Sequence, residues 1–222
     1  MEEVNSKYKV LFVCLGNICR SPAAHGIFEH VVREKGMEDK IEVDSAGTYS
    51  GHRGELPDRR MRNAAMYRGY ALTHRSRPVS SLDFLDFDMI IAMDDQNYED
   101  LMHLAPSVEA THKIRRMAEF FTTHKISYVP DPYYMGAEGF QLVLDLLEEE
   151  HVNLGVVVDV QEVYATTHKL CDSVDTVICT LADICQDTLV RHCVELLVVD
   201  VAYTSLQRAH SLQKTLLEGA TY

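Results

Sequence analysis

Apolar residues have two textures along the first 150 residues of the chain. Short unbroken runs at KVLFV (9–13), IEVDS (41–45) and DMIIAM (88–93), with a weaker one at ISYVP (126–130), have the length and β-branched content of buried strands. Between them apolar residues return every three or four positions, which predicts amphipathic helices over Pro22 to Lys35, Asp58 to Arg68, Asp95 to Leu104 and Glu138 to Glu150. Strands alternating with helices, joined by crossovers too long for hairpins, predict an α/β fold: a small open parallel sheet covered by helices.

From His151 onward the texture changes. GVVVDV and ELLVVDV read as buried strands, whereas DTVICTLADICQDTLVRHC fits either a strand and a helix or one helix with apolar residues at 178, 181, 185, 189 and 193. Two parts are therefore expected: a domain over 1–150 and a C-terminal extension over 151–222 of uncertain fold. Neither a repeat nor a low-complexity linker separates them.

The composition is that of a soluble globular protein, with 46% hydrophobic and 25% charged residues. A formal net charge of −13 argues against nucleic acid or an anionic membrane as partner, because such binding is driven by Lys and Arg at phosphates. Any phosphate must be met in a locally positive site. The acidic start MEEVNSKYKV does not resemble an export signal, and no stretch is long enough to span a bilayer, so a cytoplasmic location is expected. There the six cysteines read as reactive or buried thiols before they read as disulfides.

Two of those thiols, Cys14 and Cys19, lie in the turn after the first strand, CLGNICRS at 14–21. In an open α/β sheet this turn falls at the carboxyl ends of the strands, where ligands bind. Cys-x5-Arg-Ser leading into a helix wraps successive backbone N–H groups around one small volume, with a helix N-terminus aimed at it: a nest for an anion. Arg20 adds a planar donor fork suited to two oxygens of a tetrahedral oxyanion, and phosphate is the natural occupant. The same donors stabilise a thiolate, which makes Cys14 a nucleophile without any metal or other cofactor.

With DSAG (44–47), LTHRSRPV (72–79), FDMIIAMD (87–94) and DPYYMGAEGFQLVLDLLEE (131–149), the CLGNICRS turn resembles the low-molecular-weight protein tyrosine phosphatases, colinearly over about residues 8–150. The resemblance implies a four-stranded parallel sheet with helices on both faces, and metal-free hydrolysis of protein phosphotyrosine and small aryl phosphates through a cysteinyl-phosphate. It implies Cys14 as nucleophile, Arg20 as the phosphate grip and Asp131 as the general acid and then base. Leu15, Gly16, Asn17, Ile18, Cys19 and Ser21 complete the phosphate-binding loop, Asn17, Ser21, Ser45 and His74 form its supporting network, and Tyr133 and Tyr134 flank the substrate ring. A phosphotyrosine-containing protein is the implied partner; the oligomeric state is left open.

Two departures from the family pattern stand out. Gly51 occupies the usual place of an aromatic wall residue, with Tyr49 and His52 nearby, so Tyr49 is the candidate wall. Ala24-His25 replaces a segment that commonly carries an acidic residue, with no function evident from sequence. Cys19 reads equally as a small packing residue or, as the family suggests, a partner for a protective disulfide with Cys14. The eleven histidines form no pair at metal-ligand spacing, so no metal site is expected.

The extension faintly resembles isochorismatase-like hydrolases, whose Asp, Lys and Cys would fall on Asp159, Lys169 and Cys185, in a segment far too short for that domain. Cys171, Cys179, Cys185 and Cys193 suit a packed apolar face better than zinc. Arsenate reduction and phosphoarginine hydrolysis are the alternatives for the loop. The first needs a cysteine relay, and residues 20–150 contain no cysteine; the second tends to have Thr where this loop has Ile18.

Overall fold

A computed structural model describes residues 7–121 and 124–148; the readings made for 151–222, including Asp159, Lys169 and Cys185, lie outside the described residues. Four strands form one parallel sheet: β1 (Tyr8–Cys14), β2 (Ile41–Gly47), β3 (Met89–Ala92) and β4 (Ile114–Arg116), in the spatial order β2-β1-β3-β4. The helices are α1 (Arg20–Glu34), α2 (Arg59–Tyr67), the short α3 (Asp83–Asp86), α4 (Asp95–Leu104), the short α5 (Val108–Thr111) and α6, helical from 137 to 148.

β1 is central, so both of its faces are covered. Val10, Leu11, Phe12 and Val13 are all fully buried, which is why the run is unbroken rather than alternating. Leu11 and Val13 face a cluster with Phe84, Ile90, Leu101 and Ile114. Phe12 meets Phe28 of α1 edge to face, ring centroids 5.8 Å apart. Truncating such a residue to alanine costs about 3–5 kcal/mol. Val143, Leu144, Leu146 and Leu147 of α6 are equally buried, and Arg68 after α2 reaches its Glu148 at 2.6 Å and Asp145 at 2.7 Å.

The helix starts follow the capping residues. Asp58 caps α2 by accepting from the Arg60 N–H at 2.7 Å, and Asp94 caps α4 by accepting from the Asn97 N–H at 2.7 Å. The helix expected from Asp58 therefore begins one residue later, with Asp58 as its cap.

The fourth strand is not where the apolar pattern puts it. ISYVP is irregular: Val129 donates one backbone bond to Met93 O at 2.8 Å, but Pro130 and Pro132 have no N–H with which to extend a ladder. The edge position is taken by Ile114–Arg116, whose two arginines suit an edge and hide it from a search for apolar runs. The sheet order reverses between β1 and β3, and the carboxyl ends of these strands flank the crevice that receives the CLGNICRS turn.

Candidate active site

Cys14 ends β1, buried, and the chain turns through 15–19 into α1. The carbonyls of this loop are tied outward. Cys14 O accepts from Thr48 N–H at 3.0 Å, Leu15 O from Tyr49 N–H at 2.9 Å, Gly16 O from Ser76 Oγ at 3.1 Å and Ile18 O from Asp58 N–H at 2.7 Å. A peptide plane with its carbonyl held outward turns its N–H to the opposite side, and that side is the cavity. α1 begins at Arg20 with no side-chain cap and no acidic residue in its first turn, so its N-terminal N–H groups and dipole are left for an anion.

Asn17 has φ +52°, a left-handed conformation that asparagine tolerates better than most residues. It aims its own N–H at Cys14 Sγ, 3.3 Å away. Its side chain fixes the loop from behind: Nδ2 donates to Ser21 Oγ at 2.9 Å and Ser45 Oγ at 3.0 Å, while Oδ1 accepts from Arg77 N–H and from His74 Nε2, both at 3.0 Å. Ser21 Oγ lies 3.1 Å from Cys14 Sγ and 3.2 Å from Ala46 O, two acceptors for its one hydrogen. Gly47 is required at its position, because a Cβ there would stand 2.6 Å from Leu15 O and 3.0 Å from Asn17 N.

The Arg20 guanidinium is almost fully buried and paired with two carboxylates, Asp94 and, at 3.0 Å, Asp131; Nη1 also donates to Val129 O at 3.3 Å. Burial works against its charge, but Cys14, Asp131 and Asp94 outweigh it and raise its pKa above the ordinary arginine value. Asp131 accepts the Arg20 bond on Oδ2 and the Tyr133 N–H, at 3.1 Å, on Oδ1. Burial, then Cys14, Asp58 and Asp131, push the Cys19 thiol well above the usual cysteine range. For His74 burial acts first and His25 next, and against Asp44 they lower its pKa to about 4; the neutral ring gives its Nε2–H to Asn17.

A cavity of about 370 Å³ is lined by Cys14, Leu15, Gly16, Ile18, Cys19, Arg20, Tyr49, His52, Asp131, Tyr133 and Tyr134. Thus ten of the residues singled out from sequence meet at one cavity, and Asn17, Ser21, Ser45 and His74 lie behind it in one hydrogen-bonded network. Tyr49 is 55% exposed and Tyr134 95%, so the rim is aromatic and open. The Tyr49 ring lies where a Cβ at Gly51 would sit, with ring atoms 2.2–2.3 Å from that point; glycine at 51 admits Tyr49 beside the cavity.

Sequence reasoning left Asp94, Arg77 and His52 without roles. Asp94 is legible only once it is placed at the end of β3, beside the nest, and Arg77 only through its backbone N–H on Asn17.

A buried Cys-x5-Arg loop between strand and helix, at the switch point of a four-stranded parallel sheet, defines a cysteine-based phosphatase. Residues 9–182 match the family described as low molecular weight phosphotyrosine protein phosphatase, and the chain belongs to it. It is 45% identical over 146 residues to a Synechocystis sp. protein provisionally named a low molecular weight protein-tyrosine-phosphatase, a match covering 66% of this chain and 93% of that one. To the low molecular weight phosphotyrosine protein phosphatase of Rattus norvegicus it is 36% identical over 143 residues, covering 64% and 90%. The crystal structure of a protein tyrosine phosphatase from Entamoeba histolytica superposes with a TM-score of 0.68 at 46% identity, covering 70% of this chain and 99% of that one. The chain is a phosphoric monoester hydrolase of the protein-tyrosine-phosphatase type, with a cysteine nucleophile. Arsenate reduction and phosphoarginine hydrolysis are not favoured.

Proposed function

We propose that Cys14, Arg20 and Asp131 carry the hydrolysis of phosphotyrosine in proteins. The Cys14 thiolate attacks phosphorus as the phosphoryl oxygens take the inward N–H groups of 15–20 and the Arg20 guanidinium. The P–O bond to tyrosine breaks, and Asp131 gives its proton to the leaving oxygen. Asp131, now a carboxylate, takes a proton from water as that water attacks the cysteinyl-phosphate; the S–P bond breaks and the thiolate is restored.

The observation that carries this reading is the convergence of Asn17 N–H (3.3 Å) and Ser21 Oγ (3.1 Å) on Cys14 Sγ, which aims two donors at the sulfur on the floor of the cavity. Asp131 is held over the same cavity by Arg20 and Tyr133 N–H. Tyr49, Tyr133 and Tyr134 would flank the tyrosine ring, with the Arg60 guanidinium 5.4 Å from the Tyr133 centroid. Acid-quenched turnover of an aryl phosphate should leave a phosphoryl group on the Cys14 peptide; a label on any other residue would refute the assignment.

We further read residues 1–150 as the catalytic domain and 151–222 as an extension not needed for chemistry. Among the described residues no helix is long and apolar enough to cross a membrane, and the net charge of −13 disfavours nucleic acid; a cytoplasmic phosphoprotein substrate fits both.

A further inference from the structure

Behind the phosphate-binding loop, His25 of α1, Asp44 of β2 and His74 bring one donor atom each to within 4.8 Å of one another. We propose that this triad is a binding site for a divalent ion of the zinc class, which braces the loop through His74 and takes no part in the reaction.

Each donor is already oriented from its far side. His74 gives Nε2–H to Asn17 Oδ1, which turns Nδ1 to the triad, and His25 has Glu29 Oε1 3.3 Å from Nε2 and Ser45 Oγ 3.4 Å from Nδ1, the latter a long contact that an ion would displace. Arg77 holds Asp44 Oδ2 at 2.8 Å, leaving Oδ1 for the triad; that oxygen also accepts the Ser45 N–H at 2.7 Å. Asp44 Oδ1 lies 3.5 Å from His74 Nδ1 and 4.0 Å from His25 Nδ1. A cation placed between these donors would be held by all three.

The size is right for zinc. Bonds of about 2.0–2.1 Å to nitrogen and about 2.0–2.2 Å to oxygen place tetrahedral donors about 3.3 Å apart; the Asp44–His74 pair is near this at 3.5 Å, and the remaining donors, all within 4.8 Å, would draw together on binding. Two imidazoles and a carboxylate suit zinc, cobalt(II) or nickel(II) rather than magnesium or calcium. The charge is also favourable: the Asp44 carboxylate is a ligand, and the Glu29 carboxylate lies 3.3 Å from the far nitrogen of His25. Asp44 is partly exposed, which leaves a path for the ion. His25 stands where the family commonly has an acidic residue, and this site gives that substitution a function.

The test is a zinc titration of the full-length protein labelled with 13C-histidine, reading the assigned ring signals of His25 and His74 by NMR. It reports binding and not turnover, so it is independent of the phosphatase assignment. One equivalent of zinc should shift both signals together. In His25→Gln the zinc concentration that moves the His74 signal should rise at least about tenfold. Should that variant fail to fold, the wild-type titration still decides. Zinc taken up only elsewhere, with both signals unmoved, overturns the proposal, and so does an unchanged His74 response in folded His25→Gln.

Discussion

His74 holds Asn17: its Nε2 lies 3.0 Å from Asn17 Oδ1, while the backbone N–H of the same asparagine lies 3.3 Å from Cys14 Sγ. The histidine therefore acts on the nucleophile at one remove, through a residue in the left-handed region. Asn17→Ala should lose the side-chain bonds and also incur about 1–2 kcal/mol of backbone strain. Asn17→Gly should recover the backbone part alone. Thermal melts should rank wild type above Asn17→Gly and Asn17→Gly above Asn17→Ala, with aryl-phosphate turnover reduced in both. Equal stability of the two variants would show that the φ of +52° carries no strain.

Asp131 touches Arg20 and faces the cavity. Asp131→Asn should slow phosphotyrosine hydrolysis by about 100-fold or more, while an activated aryl ester such as p-nitrophenyl phosphate loses much less, because only a basic leaving oxygen needs a proton. Equal losses on the two substrates would remove the general-acid role.

Cys14 and Cys19 both line the cavity, and both are free thiols. Burial keeps Cys19 protonated, so a limiting alkylating agent at neutral pH should label Cys14 first. Peroxide should inactivate reversibly through a Cys14–Cys19 disulfide visible by peptide mass spectrometry. Full rescue by thiol reductant in Cys19→Ser would move the resolving role to another cysteine.

What could be read from sequence follows the physics of each element. β1 and β3 announce themselves because burial on both faces demands an unbroken apolar run, and α4 because its apolar residues return at helical spacing. β4 is three residues long with two arginines at an edge, so it carries no such signature, and ISYVP, with one backbone bond to Met93, imitates a strand without being one. At the site, Cys14 to Ser21 is contiguous and therefore legible. The pairing of Arg20 with Asp94 and the meeting of His25, Asp44 and His74 depend on crossovers that bring distant segments to one sheet edge, and no local spacing encodes them.

All of the proposed catalytic residues precede Tyr134, and the sheet and helices that position them lie within residues 7–148. A chain stopped after Glu150 should keep most of its turnover on a small aryl phosphate per folded molecule, with folding checked by thermal melting. A folded truncation that loses most of its activity would show that 151–222 build or order the site.

The central claim is that Cys14 alone supplies the nucleophile while the loop and Arg20 supply the grip, and Cys14→Ser separates the two. Turnover of an aryl phosphate by Cys14→Ser should fall to background while vanadate or phosphate still binds, since the inward N–H groups and the Arg20 guanidinium are left in place. Substantial turnover by the serine variant, with the loop intact, would contradict it.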